Sequence, residues 1–383
     1  MGVVCGDDHD LVDGRPVGAL RVSFGAMTSK QDIDALVDFL GQSFRNCGSA
    51  PSIAGPLAGG AGATAARSSS APVRAEVDAV VIYPIKSCHG WVVPRHMPWD
   101  ITPHGLKFDR SFVIMRENST AAMQQKRYPG MALIRPRVDV ARSVLVLEAP
   151  GHRPLDVSLR PHHLQLEDTE SRACSTRVQA QRVRSEMISA WLSSVLSVSC
   201  YLACEPRLLM AEPAAALPPQ LPGGVPCARR PTKAFSNKAQ LLMVTLESAQ
   251  QVERWVAEDA GLDRRADGAT VGPMQYRPNL IIKSHPDESR GIGPFEELRW
   301  TSVSVGGARF DVAGPCRRCQ MISVDQDSAK ALKEPYSTLA RRMRVGGKVV
   351  FGVYLNAAGG DGDCPASGRL STVSAGSVVD VLV

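Results

Sequence analysis

The sequence predicts a mostly β protein of the α+β class. Short apolar runs rich in Val, Ile, Leu and Phe recur along most of the chain, and turns of Pro, Gly and His separate them. Few windows carry the 3.6-residue apolar period of a helix. Of the 383 residues, 44% are hydrophobic, enough to fill the cores of roughly two domains at about 150 residues each.

Taken in order, VGALRVSFG (Val17–Gly25) reads as a strand. A helix follows with Ile33, Leu36, Val37, Leu40 and Phe44 on one face, and Thr28 and Gln31 stand before it at capping-box spacing. One strand and one helix bury too little surface to fold alone, so residues 1–46 read as the edge of a larger domain. From Cys47 to Pro72 there is no aromatic residue and scarcely any charge, the composition of a flexible linker. EVDAVVIYPIKS, RSFVIMRE, ALIRPRVDVA and SVLVLEAP then read as consecutive strands. A helix follows whose Met187, Ile188, Trp191, Leu192, Val195 and Leu196 share one face. The proline-rich stretch Glu212–Pro226 is a surface loop or a domain joint. Beyond it QLLMVTL, a short helix around Ser248–Val256, NLIIKS, SVSVGGARFDVAG, CQMISVDQ and KVVFGVYLN continue the series, and STVSAGSVVDVLV closes it as a strand pair. The predicted division is 1–46, a linker at 47–73, a β-rich domain at 74–204 and a second domain at 205–383.

Composition narrows the function. With 44 basic and 38 acidic side chains the net charge is only +6, which disfavours nucleic acid as a partner. No window reaches the roughly 18 uninterrupted apolar residues of a membrane span. The acidic start with Asp7, Asp8 and Asp10 is no secretion signal, so a cytoplasmic location is expected. Ten cysteines without repeating spacing fit a reducing compartment, where a close pair is catalytic or metal-binding rather than a structural staple.

The sharpest local signal is GPCRRCQ, Gly314–Gln320. Arg317 and Arg318 stand between Cys316 and Cys319, and positive charge favours the thiolate, which is both nucleophile and soft-metal ligand. Such a pair serves a metal, a persulfide or a redox cycle, or stays inert. YPIKS places Lys86 and Ser87 at the end of an apolar strand, and FDR and YRPN put Arg110 and Arg277 beside turns. Together Lys86, Arg110, Arg277, Arg317 and Arg318 suit a phosphate-bearing ligand held next to a reactive cysteine. There is no H-E-x-x-H, G-x-S-x-G, Walker A loop or strand-linked G-x-G-x-x-G, which argues against zinc hydrolases, α/β-hydrolases, NTPases and dinucleotide enzymes.

YPIKSC, FDR, YRPN and GPCRRCQMISVDQ occur in an order and at separations that resemble the MOSC proteins, in particular the C-terminal half of the molybdenum cofactor sulfurases. The resemblance covers about Arg74 to Val383. VCGDDHDLVDGRPVGALRVSFGAMTS, Val4–Ser29, is similar to the last stretch of that family's cysteine-desulfurase domain. The implied fold is a MOSC N-terminal β domain followed by a MOSC β-barrel that binds the molybdenum cofactor. The resemblance also implies cofactor contacts from Lys86, Ser87, Arg110, Arg277, Asn279 and Arg318, with Cys319 as the molybdenum ligand; Arg317 joins the cofactor-binding set as the motif's other cation, and Cys319 and Cys316 are the expected catalytic pair. FSNKA, Phe235–Ala239, departs from the small hydroxyl residues that related reductases carry after Phe-Ser.

The implied activity is sulfuration of the molybdenum cofactor. A cysteine desulfurase, as domain or separate protein, provides persulfide sulfur, and molybdenum hydroxylase apo-enzymes of xanthine-dehydrogenase and aldehyde-oxidase type are activated. Pyridoxal phosphate is implied for the complete parent only. Its lysine has no counterpart here, since residues 1–46 hold just Lys30, so a fragment or truncated gene model is expected. The alternatives are a MOSC oxidoreductase acting on N-hydroxylated compounds and a non-catalytic cofactor carrier.

Overall fold

The computed structural model describes residues 11–12, 15–16, 73–173, 176–209, 235, 239–260, 271–358 and 369–382. The strand expected at Val17–Gly25, the helix through Ile33–Phe44, the linker and Glu212–Pro226 lie outside the described residues. The chain divides into two compact units, Met1–Ser69 and Ser70–Val383. In the first, Leu11–Val12 pairs antiparallel with Arg15–Pro16.

In the second unit seven strands close into a barrel: β1 (Val73–Ile82), β2 (Leu241–Thr245), β3 (Leu280–Ser284), β4 (Ser302–Val305), β5 (Ala308–Arg317), β6 (Lys348–Ala357) and β7 (Val378–Leu382). Around the barrel the order is β2, β3, β1, β7, β4, β5, β6, and β6 pairs back onto β2. Period-two patterning explains the closure, because successive side chains of a strand face opposite sides. Val80, Ile82, Met243, Leu280, Ile282, Val353 and Leu355 belong to one core cluster. Their neighbours Val81, Val244 and Ile281 belong to a second. Strands buried on both faces read as near-continuous apolar runs, which is why QLLMVTL and NLIIKS were legible as strands.

Helices follow the same logic. α1 (Glu186–Leu196) starts at Ser185, whose hydroxyl accepts a hydrogen bond from the Ile188 amide at 3.3 Å. It buries Ile188 and Leu192, whereas Met187, expected on the apolar face, is 66% exposed. α2 (Leu246–Ala260) begins directly after β2 and leads to the parallel strand β3, the crossover that parallel pairing demands. α3 (Tyr336–Arg342) is tied to α2 by Asp259, which accepts from Arg341 at 2.6 Å and Arg342 at 2.7 Å. No described helix is long and apolar enough to cross a membrane.

Three smaller sheets accompany the barrel. A meander joins Arg135–Asp139, Val144–Glu148 and Leu155–Ser158, and a four-stranded sheet runs in the order Leu166–Ala173, Thr176–Val183, Cys200–Cys204, Phe112–Arg116. STVSAGSVVDVLV does form two strands, but they do not pair with each other. Ser371–Val373 joins Trp99–Thr102, while β7 joins β1 and β4. CQMISVDQ is likewise no strand, because Gln320–Ser323 forms a 3₁₀ turn that buries Ile322 in the second cluster. β1, placed by sequence in the domain at 74–204, is a stave of the barrel built otherwise from residues after 240.

Removal of β1 should therefore open the barrel. A chain beginning at Ser70 is expected to unfold in one cooperative urea transition, whereas a chain beginning at Tyr83 should lose that transition; equal midpoints would refute the shared barrel. A second expectation concerns Glu297, fully buried with Ser248 and Thr245 donating to its Oε2 at 2.8 and 3.2 Å. Burial pushes its carboxyl up to about 7 from 4.5, against a smaller lowering by the Ser248 hydrogen bond. The folded chain then holds a proton the unfolded chain has lost, so stability falls as pH rises from about 4.5 through 7. Glu297→Gln should flatten this slope in denaturation measured between those limits, and an unchanged slope would mean that Glu297 is not its source.

Candidate functional site, a cationic cavity with an exposed thiol

Strand direction brings two of the dispersed motifs to one end of the barrel, and the thiol motif joins them in the lining of one cavity. The C-terminal end of β1 runs into Tyr83–Ser87, and its antiparallel neighbour β3 is preceded by Arg277 and Asn279. β5 ends in Cys316 and Arg317, opposite the start of β6. Its register shifts between Val312 and Gly314 and again between Pro315 and Arg317. Such bulges bend a strand and re-aim its side chains, so the thiol motif leaves the regular ladder as β5 ends.

A cavity of about 210 Å³ lies there, lined among others by Lys86, Ser87, Arg110, Arg277, Asn279, Cys316, Arg317, Arg318 and Cys319. Every residue singled out from sequence thus reaches one place. Gln124, Lys126, Tyr276 and Tyr354 line it too and were not anticipated, since QQKR carries no motif and the two tyrosines read as ordinary strand or turn aromatics. Among the described lining residues there is no carboxylate, while Lys86, Arg110, Lys126, Arg277, Arg317 and Arg318 supply six cations. The field inside favours an anion.

The cations are held with care. Lys86 is 6% exposed and its Nζ donates to the Phe235 carbonyl at 2.6 Å, which fastens the start of FSNKA to the cavity wall. Arg110 pairs with Asp109 and donates to Asn279 Oδ1 at 3.2 Å. Asn279, 1% exposed, also accepts from the Leu242 amide at 3.1 Å and donates to the Val81 carbonyl at 3.2 Å. One amide group thereby joins β1, β2 and Arg110. Arg318 donates to the carbonyls of Phe351 and Tyr276, both at 2.8 Å. Gly352 makes room for it: at φ +67, a Cβ there would stand 2.6 Å from Val244 Cγ1, 2.7 Å from Met243 O and 3.3 Å from Arg318 Nη2.

Two guanidinium nitrogens remain unsatisfied. Arg277 is 5% exposed, yet its Nη1 has no hydrogen-bond partner, and neither has Arg318 Nη2. Burial pulls the Arg277 guanidinium down to about 10, only partly opposed by Tyr83. A buried donor left unpaired costs about 1–3 kcal/mol, more when charged, so these nitrogens mark where an anionic ligand would be satisfied. Backbone strain collects here as well. Ser87 (φ 66), Arg110 (φ 50) and Arg277 (φ 55) are left-handed without being glycine, a conformation costing about 1–3 kcal/mol that clusters at functional sites.

The thiols divide sharply. Cys88, Cys200, Cys204 and Cys316 are buried, and Cys319 is exposed. Burial pushes the Cys88 thiol up and the Cys204 thiol up to about 12. Tyr354 is also pushed up, by burial first and then by neighbouring Cys316. Among the described residues no group of three or more His, Cys, Asp or Glu side chains is arranged to hold a metal ion. A metal at this site must bring ligands of its own and leave one position for a thiolate. The molybdenum cofactor does so, carrying a dithiolene for the metal and a phosphate for the unpaired cations, and the residues present fit it.

Two family models match the chain: the MOSC N-terminal beta barrel domain over residues 74–199 and the MOSC domain over 230–380. Proteins named molybdenum cofactor sulfurase are similar over nearly all of it. That of Aspergillus terreus is 33% identical across 99% of this chain and 48% of its own length; that of Anopheles gambiae is 34% identical across 97% and 45%. The chain spans about half the length of these relatives. A solution structure from Bordetella bronchiseptica is 17% identical over 29% of this chain and 88% of its own, with a TM-score of 0.22.

Exposure should govern thiol reactivity. Timed alkylation with iodoacetamide, read peptide by peptide in a mass spectrometer, should modify Cys319 well before Cys88, Cys200, Cys204 and Cys316. Comparable rates at Cys316 and Cys319 would contradict the division.

Proposed function

Since this chain belongs to the MOSC-domain proteins, with an MOSC N-terminal beta barrel domain preceding an MOSC domain, we propose that its cavity binds the molybdenum cofactor as substrate and sulfurates it. The observation that carries the reading is the meeting of an exposed thiol with unpaired, buried guanidinium nitrogens in one cavity free of described carboxylates. Similarity to the molybdenum cofactor sulfurases supports the choice of substrate.

In this reading Lys86, Ser87, Arg110, Arg277, Asn279, Arg317 and Arg318 hold the cofactor's anionic and polar groups. Arg277 supplies the strongest discrimination, because its Nη1 is already desolvated and loses nothing further when an anion arrives. Cys319 offers its thiolate to molybdenum from the rim, where sulfur can also arrive from outside. Cys316, buried in the same lining, is the second thiol of the catalytic pair. The cofactor supplies the metal whose oxygen ligand is exchanged for sulfur. A cysteine desulfurase, with pyridoxal phosphate, provides the sulfur, and molybdenum hydroxylase apo-enzymes of xanthine-dehydrogenase and aldehyde-oxidase type receive the product.

The test combines binding and transfer. Cys319→Ala should abolish molybdenum retention, measured by elemental analysis after gel filtration, while circular dichroism stays unchanged. Equal molybdenum content in both proteins would sink the ligand assignment. Arg277→Ala and Lys86→Ala should each weaken cofactor binding by about 1.5–3 kcal/mol, the scale of a charge-assisted hydrogen bond. With a cysteine desulfurase, cysteine and dithiothreitol, the last supplying two electrons per sulfane sulfur, the loaded chain should restore activity to desulfo-xanthine dehydrogenase. Tight binding without restoration would make it a carrier instead.

A further inference from the structure

Tyr83 stands behind the cavity and is not part of its lining, yet two of the lining cations rest on it. The Arg277 guanidinium carbon lies 4.3 Å from the centre of its ring, and that of Arg110 lies 4.8 Å away. The ring is 1% exposed, so both contacts are screened from water, the condition under which a cation over an aromatic face is held most firmly. Its hydroxyl is buried without a hydrogen-bond partner, and burial pushes the phenol up to about 12. The useful part of this side chain is its π face rather than its hydroxyl.

Its placement is over-determined. The Tyr83 amide donates to Asp109 Oδ1 at 2.8 Å, and its carbonyl accepts from the Arg110 amide at 2.8 Å. Asp109 in turn pairs with Arg110 through its other oxygen. Gly90 leaves space for the ring: a Cβ there would sit 2.6 Å from the ring's Cε1 and 2.9 Å from Cζ. Two like charges approach the same ring. Arg110 has a carboxylate to offset this, whereas Arg277 has no described ion-pair partner.

We propose that Tyr83 is a positioning residue whose ring shares its electron-rich surface between Arg110 and Arg277, so that both guanidiniums are fixed facing the cavity before an anion arrives. The proposal rests on the cationic cavity of the preceding reading but not on the identity of its ligand. It explains how a buried cation lacking a described carboxylate is tolerated and why its free nitrogen stays directed at the cavity. Pre-orientation of this kind raises affinity by lowering the ordering cost at binding.

Inorganic pyrophosphate serves as the probe, with affinity measured calorimetrically on the full chain. Tyr83→Phe keeps the ring and should bind within about twofold of wild type. Tyr83→Leu should weaken binding about tenfold, and Tyr83→Leu combined with Arg277→Ala should lose clearly less than the sum of the two single losses, because without Arg277 the ring acts through Arg110 alone. Thermal melts identify variants that fail to fold, and in that event pentafluorophenylalanine at position 83, which keeps the ring's shape but inverts its quadrupole, replaces leucine with the same expected loss. The proposal is overturned by wild-type affinity in Tyr83→Leu, by a loss in Tyr83→Phe as large as in Tyr83→Leu, by additive losses in the double variant, or by a wild-type chain that takes up no pyrophosphate. Parallel titrations with the molybdenum cofactor separate the two readings, since pyrophosphate binding without cofactor binding would refute the proposed function and leave the role of Tyr83 standing.

Discussion

A guanidinium kept in the interior without a described carboxylate beside it is the constraint to which the surrounding structure answers. A buried charge is ordinarily neutralised by an opposite one, and here the interior supplies rings and carbonyl oxygens instead. Arg277 rests on Tyr83 and Arg318 on the carbonyls of Tyr276 and Phe351. Tyr276 and Phe351 stand 3.9 Å apart, centre to centre, in the same apolar cluster as Tyr83. Each cation is therefore anchored by groups that leave part of its donor capacity unspent. That remaining capacity is what distinguishes a binding site from a set of internal salt bridges.

The barrel is what allows motifs far apart in sequence to meet. β1 and β3 are antiparallel neighbours, so the exit of one and the entry of the other share a rim. β2 runs parallel to β3 and enters at that same rim, where its Leu241 and Leu242 join the lining. β5 runs opposite to β1, and Cys316 and the residues after it join the lining where two bulges break its ladder. Asn279 fixes the junction, because its single side chain bonds to β1, β2 and Arg110 together. A loss at Asn279 would therefore be felt as a shift of strands and not only as a missing ligand contact.

Much of this was readable along the chain, and the limits have physical causes. Alternating or continuous apolar residues marked QLLMVTL, NLIIKS and KVVFGVYLN as strands because burial on one or both faces leaves a local imprint. Partner choice leaves none: nothing within STVSAGSVVDVLV tells that its halves separate to join Trp99–Thr102 and β1. The hairpin Leu166–Ala173 with Thr176–Val183 escaped notice since its charged and polar residues obscure any apolar alternation. At the site, charged residues beside turns were visible as motifs. Tyr83 was not, as its contribution depends on two arginines that arrive from positions 27 and 194 residues later. Phe235 offers its backbone, which no side-chain pattern can announce.

The pairing of β1 with β7 also bears on how the molecule is made. These strands are the first and last staves of the barrel, and about 300 residues separate them. At the roughly 5–20 residues per second of ribosomal synthesis, β1 emerges on the order of 15–60 s before its partner exists. Through that interval an edge rich in Val and Ile stands without its neighbour, the condition under which strands find wrong partners. The intervening β sheets can fold meanwhile, but the barrel cannot close until β7 has been made. Barrel closure then waits on β7, and any wrong pairing of β1 before that moment comes at the expense of folded protein.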